Sequence, residues 1–173
     1  MQEIAAEIVV SRIQDWLHTR AGAYDQVIID CPPSISSLSL SALKAADEIL
    51  VPMTADQFSL HGLPILLRSL DKYRDVLDIE AMIGGVVLSM FPPAEQSESR
   101  AKAQRYAKDI DKLCEAASPA IRCLKAKISR DPAYPDSFVG KEPLPFSTNP
   151  QHGALVDELQ AVAEELRLVG EVL

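Results

Sequence analysis

The run Val27-Ile28-Ile29 ends in a carboxylate, Asp30, and is stopped at once by Pro32 and Pro33. Three consecutive β-branched residues without polar alternation read as a short parallel strand buried on both faces. Two prolines then remove the next ladder donors, leaving the carboxylate at the strand's carboxyl end. In an open α/β sheet, that is where ligands bind. No other stretch constrains the chain as strongly, because it predicts both a strand–helix–strand fold and a site at Asp30.

The flanking periodicities agree with such a fold. Ile4, Ile8, Val9, Ile13, Trp16 and Leu17 recur at helical spacing, with Glu3, Glu7, Arg12 and Asp15 between them and Gly22 as the stop. After the prolines, Leu38, Leu40, Leu43 and Ala46 suit a second helix with Ser34 as its cap, and Glu48-Ile49-Leu50-Val51 reads as a strand closed by Pro52. Leu60, Leu63, Leu67, Leu70 and Leu77 form one stripe of a long helix, with Pro64 placed near its start. Residues 81–90 are a third buried strand, residues 91–97 a proline-broken loop, and residues 98–116 a charged helix. Residues 120–128 read as a fourth strand and residues 131–150 as irregular, while Leu155, Leu159, Val162, Ala163, Leu166 and Val169 mark a closing helix. Strands alternating with helices predict an α/β fold: a three-layer, mostly parallel sheet with helices on both faces, in one domain over residues 1–173.

Composition narrows the function. The 173 residues are 47% hydrophobic and 24% charged, ordinary for a globular domain. No apolar stretch approaches the ~18–20 residues of a membrane span, and no signal peptide opens the chain, so a cytoplasmic location is expected. A net charge of −8 excludes a surface that binds nucleic acid everywhere, but leaves room for a local basic face. Cys31, Cys114 and Cys123 form no CxxC pair and are expected as reduced thiols, and His18, His61 and His152 lack ligand spacing. Cys31 stands at a predicted helix start, where a thiolate is favoured, but no histidine stands in a motif to serve as its base. It reads as a small loop residue.

Taken together, Tyr24-Asp25-x-Val27-Ile28-Ile29-Asp30-Cys31-Pro32-Pro33-Ser34 and Leu43-x-Ala45-Ala46-Asp47-Glu48-Ile49-Leu50-Val51-Pro52 resemble the ParA branch of the ParA/MinD deviant-Walker ATPases. The resemblance continues through Phe58-Ser59-Leu60-x-Gly62-Leu63, Leu88-Ser89-Met90, Ile128-Ser129-Arg130, Ala133-Tyr134 and Gly140. It implies a P-loop NTPase-like fold, with ATP and Mg²⁺ as cofactors of the complete family protein. The resemblance makes Asp30 the Walker B aspartate, which orients the water shell of Mg²⁺. Pro32, Pro33 and Ser34 match the loop that lies against the phosphates and moves with nucleotide state. Met90 ends a strand near the nucleotide base, and Ser129, Arg130, Asp131 and Pro132 match the loop over the adenine. The family often carries proline and asparagine where this chain has Ser129 and Asp131.

One part of the family pattern has no counterpart. A glycine-rich Lys-Gly-Gly-x-Gly-Lys-Thr-Thr loop cradles the phosphates with its backbone N–H groups and lysines. Here the one Gly-Lys pair is Gly140-Lys141, followed by Glu142 and Pro143. The family's catalytic aspartate is also unmatched. Phosphoryl transfer depends on positioning and on neutralising about four phosphate charges, which one carboxylate cannot do. The chain alone is therefore expected to be inactive and not to bind nucleotide tightly. It is either part of a longer ATPase, N-terminally incomplete, or a short relative that covers its open edge by oligomerising.

Arg100, Arg105, Lys108 and Lys112 lie along the charged helix, diluted by Asp109, Asp111 and Glu115, and Arg122, Lys125, Lys127 and Arg130 cluster further on. The resemblance implies non-sequence-specific DNA contact in this half of the chain, with the nucleoid as one location; a salt-bridged solvent face is the competing account. The closing helix carries Glu158, Glu164 and Glu165 outside its apolar stripe, too acidic to lie on a membrane. The implied partners are a second copy of the chain, in a homodimer, and a ParB-like stimulating protein. The expected function is plasmid, chromosome or cargo partition, against the alternative of a non-enzymatic module that keeps the fold for binding or oligomerisation.

Overall fold

The computed structural model describes residues 11–32, 34, 36–117, 119–140, 143–147 and 149–167. In chain order its elements are α1 (Arg12–Arg20), α2 (Ser37–Ala45), β1 (Glu48–Thr54), α3 (Gln57–Leu77), β2 (Met82–Phe91), α4 (Ser97–Ala116), β3 (Cys123–Ser129), α5 (Ala133–Gly140) and α6 (Gly153–Arg167). The strands form a parallel three-stranded sheet in the order β1-β2-β3, with helices around it, so the α/β, P-loop NTPase-like expectation holds.

The described residues gather into two compact units, one holding residues up to 49 and 66–82, the other residues 50–65 and 83 onward. In the first, α1 packs with α2. Ala42, Leu70, Ile79 and Ala81 are buried there, together with the hydroxyl residues Ser39 and Ser41. Long side chains tie its segments together. Lys44 Nζ donates to the Leu77 carbonyl at 2.8 Å and the Arg74 guanidinium to the Ala81 carbonyl at 2.7 Å, while Met82 N–H reaches Asp47 O at 3.1 Å. These bonds satisfy carbonyls at a helix end and in a loop that would otherwise lack partners.

The second unit has the sheet as its core. Gly85, Val86, Val87 and Leu88 are buried in succession, as expected of a strand covered on both faces. Val86 lies opposite Cys123, Leu88 opposite Lys127 and Phe91 opposite Ser129, with irregular register between them. Gly85 is required by this approach: a Cβ there would stand 2.6 Å from Leu124 Cδ1 and 3.4 Å from the Arg122 carbonyl oxygen. The helix α4 turns Ala103, Ala107, Ile110 and Cys114 inward at helical spacing. Val87, Leu124 and Val162 form a buried cluster on which Ala126, Ile128 and Leu166 pack, fastening α6 to β3.

Several expectations need correction. Residues 26–32 form neither helix nor strand, so the strand predicted at Val27-Ile28-Ile29 is absent. A strand exists through its ladder, and no described strand pairs with this run; Val27 and Ile28 remain 44% and 87% exposed. β1 does not close at Pro52 but continues to Thr54. It is an edge of the described sheet, where a missing N–H need not break a ladder. Pro64 lies inside α3, well past its first turn. The stretch predicted as irregular contains α5, because the Asp131 carboxylate accepts Ala133 N–H at 2.8 Å and starts a helix. The first predicted helix is described from Arg12 and runs on to Arg20; its residues 4–10 lie outside the described residues.

Candidate functional site

Asp30 lies in the first unit, exposed, with no hydrogen bond or ion pair to any described residue. The loop after it is held by serines. Ser36, not Ser34, caps α2: its hydroxyl accepts Ser39 N–H at 3.3 Å, and Ser36 N–H donates to Ser39 Oγ at 2.8 Å in a reciprocal capping box. Ser39 is 8% exposed and its hydroxyl also donates to Ser34 O at 2.6 Å, while Ser34 N–H reaches Pro32 O at 2.7 Å. The side chain of Ser34 is left exposed beside Pro32; Pro33 lies outside the described residues. A carboxylate on an anchored, solvent-facing loop can orient the water shell of a hard cation without giving up internal bonds.

In the second unit, the carboxyl ends of β2 and β3 bring together Met90, Ser129, Arg130, Asp131 and Pro132. Arg130 N–H donates to Phe91 O at 2.8 Å, and Phe91 is paired with Ser129. Met90 has φ 54°, in the left-handed region that a side chain rarely adopts, and is 54% exposed. Such a backbone is a local cost that surrounding structure must hold in place. Arg130 and Pro132 are exposed.

The other two residues of this group are committed to the fold. Glu158 of α6 accepts the Ser129 N–H at 2.8 Å and the Ser129 hydroxyl at 2.7 Å. Asp131 caps α5. Beneath them Phe91 is buried between two cations, with the Arg100 guanidinium 5.5 Å and Lys127 Nζ 4.9 Å from its ring centre. Tyr134 OH is buried without a partner among the described residues, and burial pushes its phenol up, helped by the charges of Glu158 and Asp131.

Two comparisons decide what this chain is related to. The family model described as "AAA domain" matches residues 1–83. The "Chromosome partitioning protein ParA" of Myxococcus xanthus is 40% identical over 80 residues, 46% of this chain and 28% of that protein. The protein of the same name from Caulobacter vibrioides is 33% identical over 118 residues, 65% of this chain and 41% of its own length. The "Chromosome-partitioning ATPase Soj" of Treponema pallidum is 38% identical over 68 residues, 39% of this chain and 27% of its own length.

Over these stretches the chain is similar to ParA-type P-loop ATPases. It spans well under half the length of each of these three relatives.

The basic residues of the chain divide into two groups. Arg105 and Lys108 are exposed on α4, and Lys112 makes a surface contact to Asp109 at 3.4 Å. Arg100 instead turns to the end of β2, where it donates to the Pro92 carbonyl at 2.7 Å. Arg122 is paired with Glu165 at 3.2 Å. No described group of three or more His, Cys, Asp and Glu could hold a metal ion, and no described helix is long and apolar enough to cross a membrane.

The residues present fit ATP and Mg²⁺ in part. Asp30 suits an outer-shell role toward a hydrated Mg²⁺, but these 173 residues contain no glycine-rich loop to supply phosphate-directed N–H groups. No chemical step follows from this half-site. The residues that sequence reasoning passed over are Ser36, Ser39, Glu158 and Glu165. Ser36-x-x-Ser39 ahead of an apolar run carried a helix-start signal. The two glutamates carried none, because nothing local says which strand a distant carboxylate will meet.

Proposed function

We propose that this chain carries the Walker B portion of a ParA-like partition ATPase, with Asp30 orienting the water shell of the Mg²⁺ that accompanies ATP. The observation that supports this most directly is the exposed Asp30 carboxylate, without a partner among the described residues, on a serine-anchored loop inside the 1–83 stretch that the family model matches. Pro32, Pro33 and Ser34 lie against the phosphates. Met90, Ser129, Arg130, Asp131 and Pro132 border the base, Ser129 and Asp131 through their backbone because their side chains are engaged elsewhere.

On this reading the complete protein dimerises around Mg·ATP, responds to a ParB-like partner and holds DNA through Arg105, Lys108, Lys112 and Arg130, with Arg100 positioning the end of β2. It works in the cytoplasm, on the nucleoid. The chain by itself neither holds nucleotide tightly nor hydrolyses it, since phosphate charge is not neutralised by one carboxylate.

The test titrates the chain with Mg·ATP, alone and with an added segment that carries a glycine-rich Lys-Thr-Thr loop. Tight binding is expected only with the added segment, and Asp30→Ala abolishes Mg²⁺-dependent turnover by the assembled protein while leaving its fold intact. Tight nucleotide binding by the isolated chain sinks the reading of an incomplete site. Full turnover by the assembled Asp30→Ala protein removes Asp30 from the metal.

A further inference from the structure

We propose that Ser147, Asn149 and His152 form a proton-operated clasp ahead of α6, closed by the neutral imidazole of His152 and opened by its imidazolium. The three residues lie in and between two one-turn helices, Leu144–Phe146 and Pro150–His152, and the second of these leads directly into α6. His152 Nδ1 is 2.8 Å from Ser147 Oγ, and its Nε2 is 3.3 Å from the side-chain nitrogen of Asn149. Both ring nitrogens are therefore engaged.

One contact fixes which groups donate and which accept. Asn149 caps the turn: its Oδ1 accepts Gln151 N–H at 3.0 Å, so the amide presents its NH2 group, a donor, to the imidazole. Nε2 must then accept, which places the single proton of the neutral ring on Nδ1, where it is donated to Ser147 Oγ. Ser147 Oγ also accepts Asn149 N–H at 3.3 Å, and this fills its two lone pairs. An imidazolium carries hydrogens on both nitrogens. Its Nε2–H would face the Asn149 NH2 donor to donor, and turning the amide over to offer Oδ1 gives up the Gln151 N–H. Either way one bond of the clasp is lost.

No charged side chain compensates for that loss. The elements packed against these turns are α6, with Asp157 and Glu158 in its second turn and Glu164 and Glu165 beyond, and α5, with Tyr134 and Asp136. Among the described residues no ion pair reaches the His152 ring, and Glu158 is taken by Ser129. The clasp stands between buried Leu144, whose carbonyl accepts Ser147 N–H at 3.0 Å, and α6, whose Leu155 and Val162 are buried. Acidification thus loosens the approach to the helix that holds β3.

The experiment is NMR on the labelled full chain, with the His152 ring assigned through its backbone. At about pH 8 the ring nitrogen shifts are expected to place the proton on Nδ1. From about pH 8 to about pH 5, the range in which histidine changes charge, the protection of the Gln151 amide against exchange, corrected for its intrinsic rate, is expected to fall roughly fivefold, the population change of one lost hydrogen bond. His152→Ala should show no such response. Asn149→Asp keeps one oxygen for Gln151 N–H and offers the other to the imidazolium, so its Gln151 protection should no longer fall in acid, a rescue that a purely structural cap would not give. A proton on Nε2 at about pH 8 overturns the proposal, as does Gln151 protection that is unchanged over this range or that falls equally in His152→Ala. Should a variant fail to fold, the tautomer and the Gln151 response of the unsubstituted chain decide alone.

Discussion

Glu158 takes both polar hydrogens of Ser129, the backbone N–H at 2.8 Å and the hydroxyl at 2.7 Å. A helix 29 residues further along the chain thus fixes the last residue of β3, just ahead of the exposed Arg130. Glu158→Ala leaves the Ser129 N–H and hydroxyl without partners in a half-buried setting, for a cost of about 1–3 kcal/mol. Ser129→Ala removes only the hydroxyl and costs about 1 kcal/mol. Urea unfolding of both variants and of the double variant measures the coupling, and additive losses would show that the two side chains do not depend on each other.

Glu165 predicts an acid-sensitive stability. Burial pushes its carboxyl up, but the N–H groups of Ala126 and Lys125 and the Arg122 guanidinium together outweigh it, so the folded value lies below the ordinary one. A carboxyl lowered on folding contributes stability that is present above its unfolded pKa, about 4.3. That contribution is lost as pH falls through the still lower folded value. The wild-type chain therefore loses stability below about pH 4.3, and Glu165→Gln loses less over the same range because its share is absent at every pH. Parallel denaturation curves against pH for the two proteins would show that this carboxylate carries no such linkage.

Gly85→Ala should destabilise the second unit. The new Cβ would meet Leu124 Cδ1 at 2.6 Å, and Leu124 is itself 2% exposed in the core beneath α6. Relief requires moving a packed side chain, costing about 1–3 kcal/mol. Gly85→Ala combined with Leu124→Val should recover part of that loss. The shift of the urea midpoint reads both effects, and an unchanged midpoint for Gly85→Ala would mean the strands separate freely.

Gly62→Ala should stabilise. Gly62 is inside α3 and nothing lies within 4 Å of a Cβ built on it. Alanine is preferred over glycine in a helix interior by about 0.5–1 kcal/mol. A rise in the unfolding midpoint of that order is expected. A fall would reveal a backbone demand at Gly62 that its open surroundings do not show.

Legibility in the sequence followed how locally each feature is determined. The helix α4 was legible from its helix-forming, charged composition, whereas its buried stripe of Ala103, Ala107, Ile110 and Cys114 was hidden because three of the four are small residues among many charges. The apolar run Gly85-Val86-Val87-Leu88 announced a strand covered on both faces. Val27-Ile28-Ile29 has the same composition but no ladder among the described residues, since strand pairing is a tertiary event that propensity alone does not secure. The helix α5 was hidden by Pro132 and Pro135, which read as breakers until the Asp131 cap places them at a helix start. At the candidate site, Asp30 was picked out by a strand stop although no strand forms before it, and Met90 and residues 129–132 were picked out by the family resemblance. The roles of Ser129 and Asp131 were not legible, because their partners are set by where α6 packs and where α5 begins.

The acid side chains of α6 also set the two margins of the sheet apart. Glu165 accepts the N–H groups of Lys125 and Ala126, and Glu158 that of Ser129, so three backbone donors of β3 are taken by side chains of α6 rather than left for a foreign strand. The opposite margin, β1, has no such carboxylate clamp among the described residues, and Pro52 removes only one donor there. The two margins of the described sheet thus differ: β3 is closed by carboxylates of its own fold, and β1 carries no such closure among the described residues.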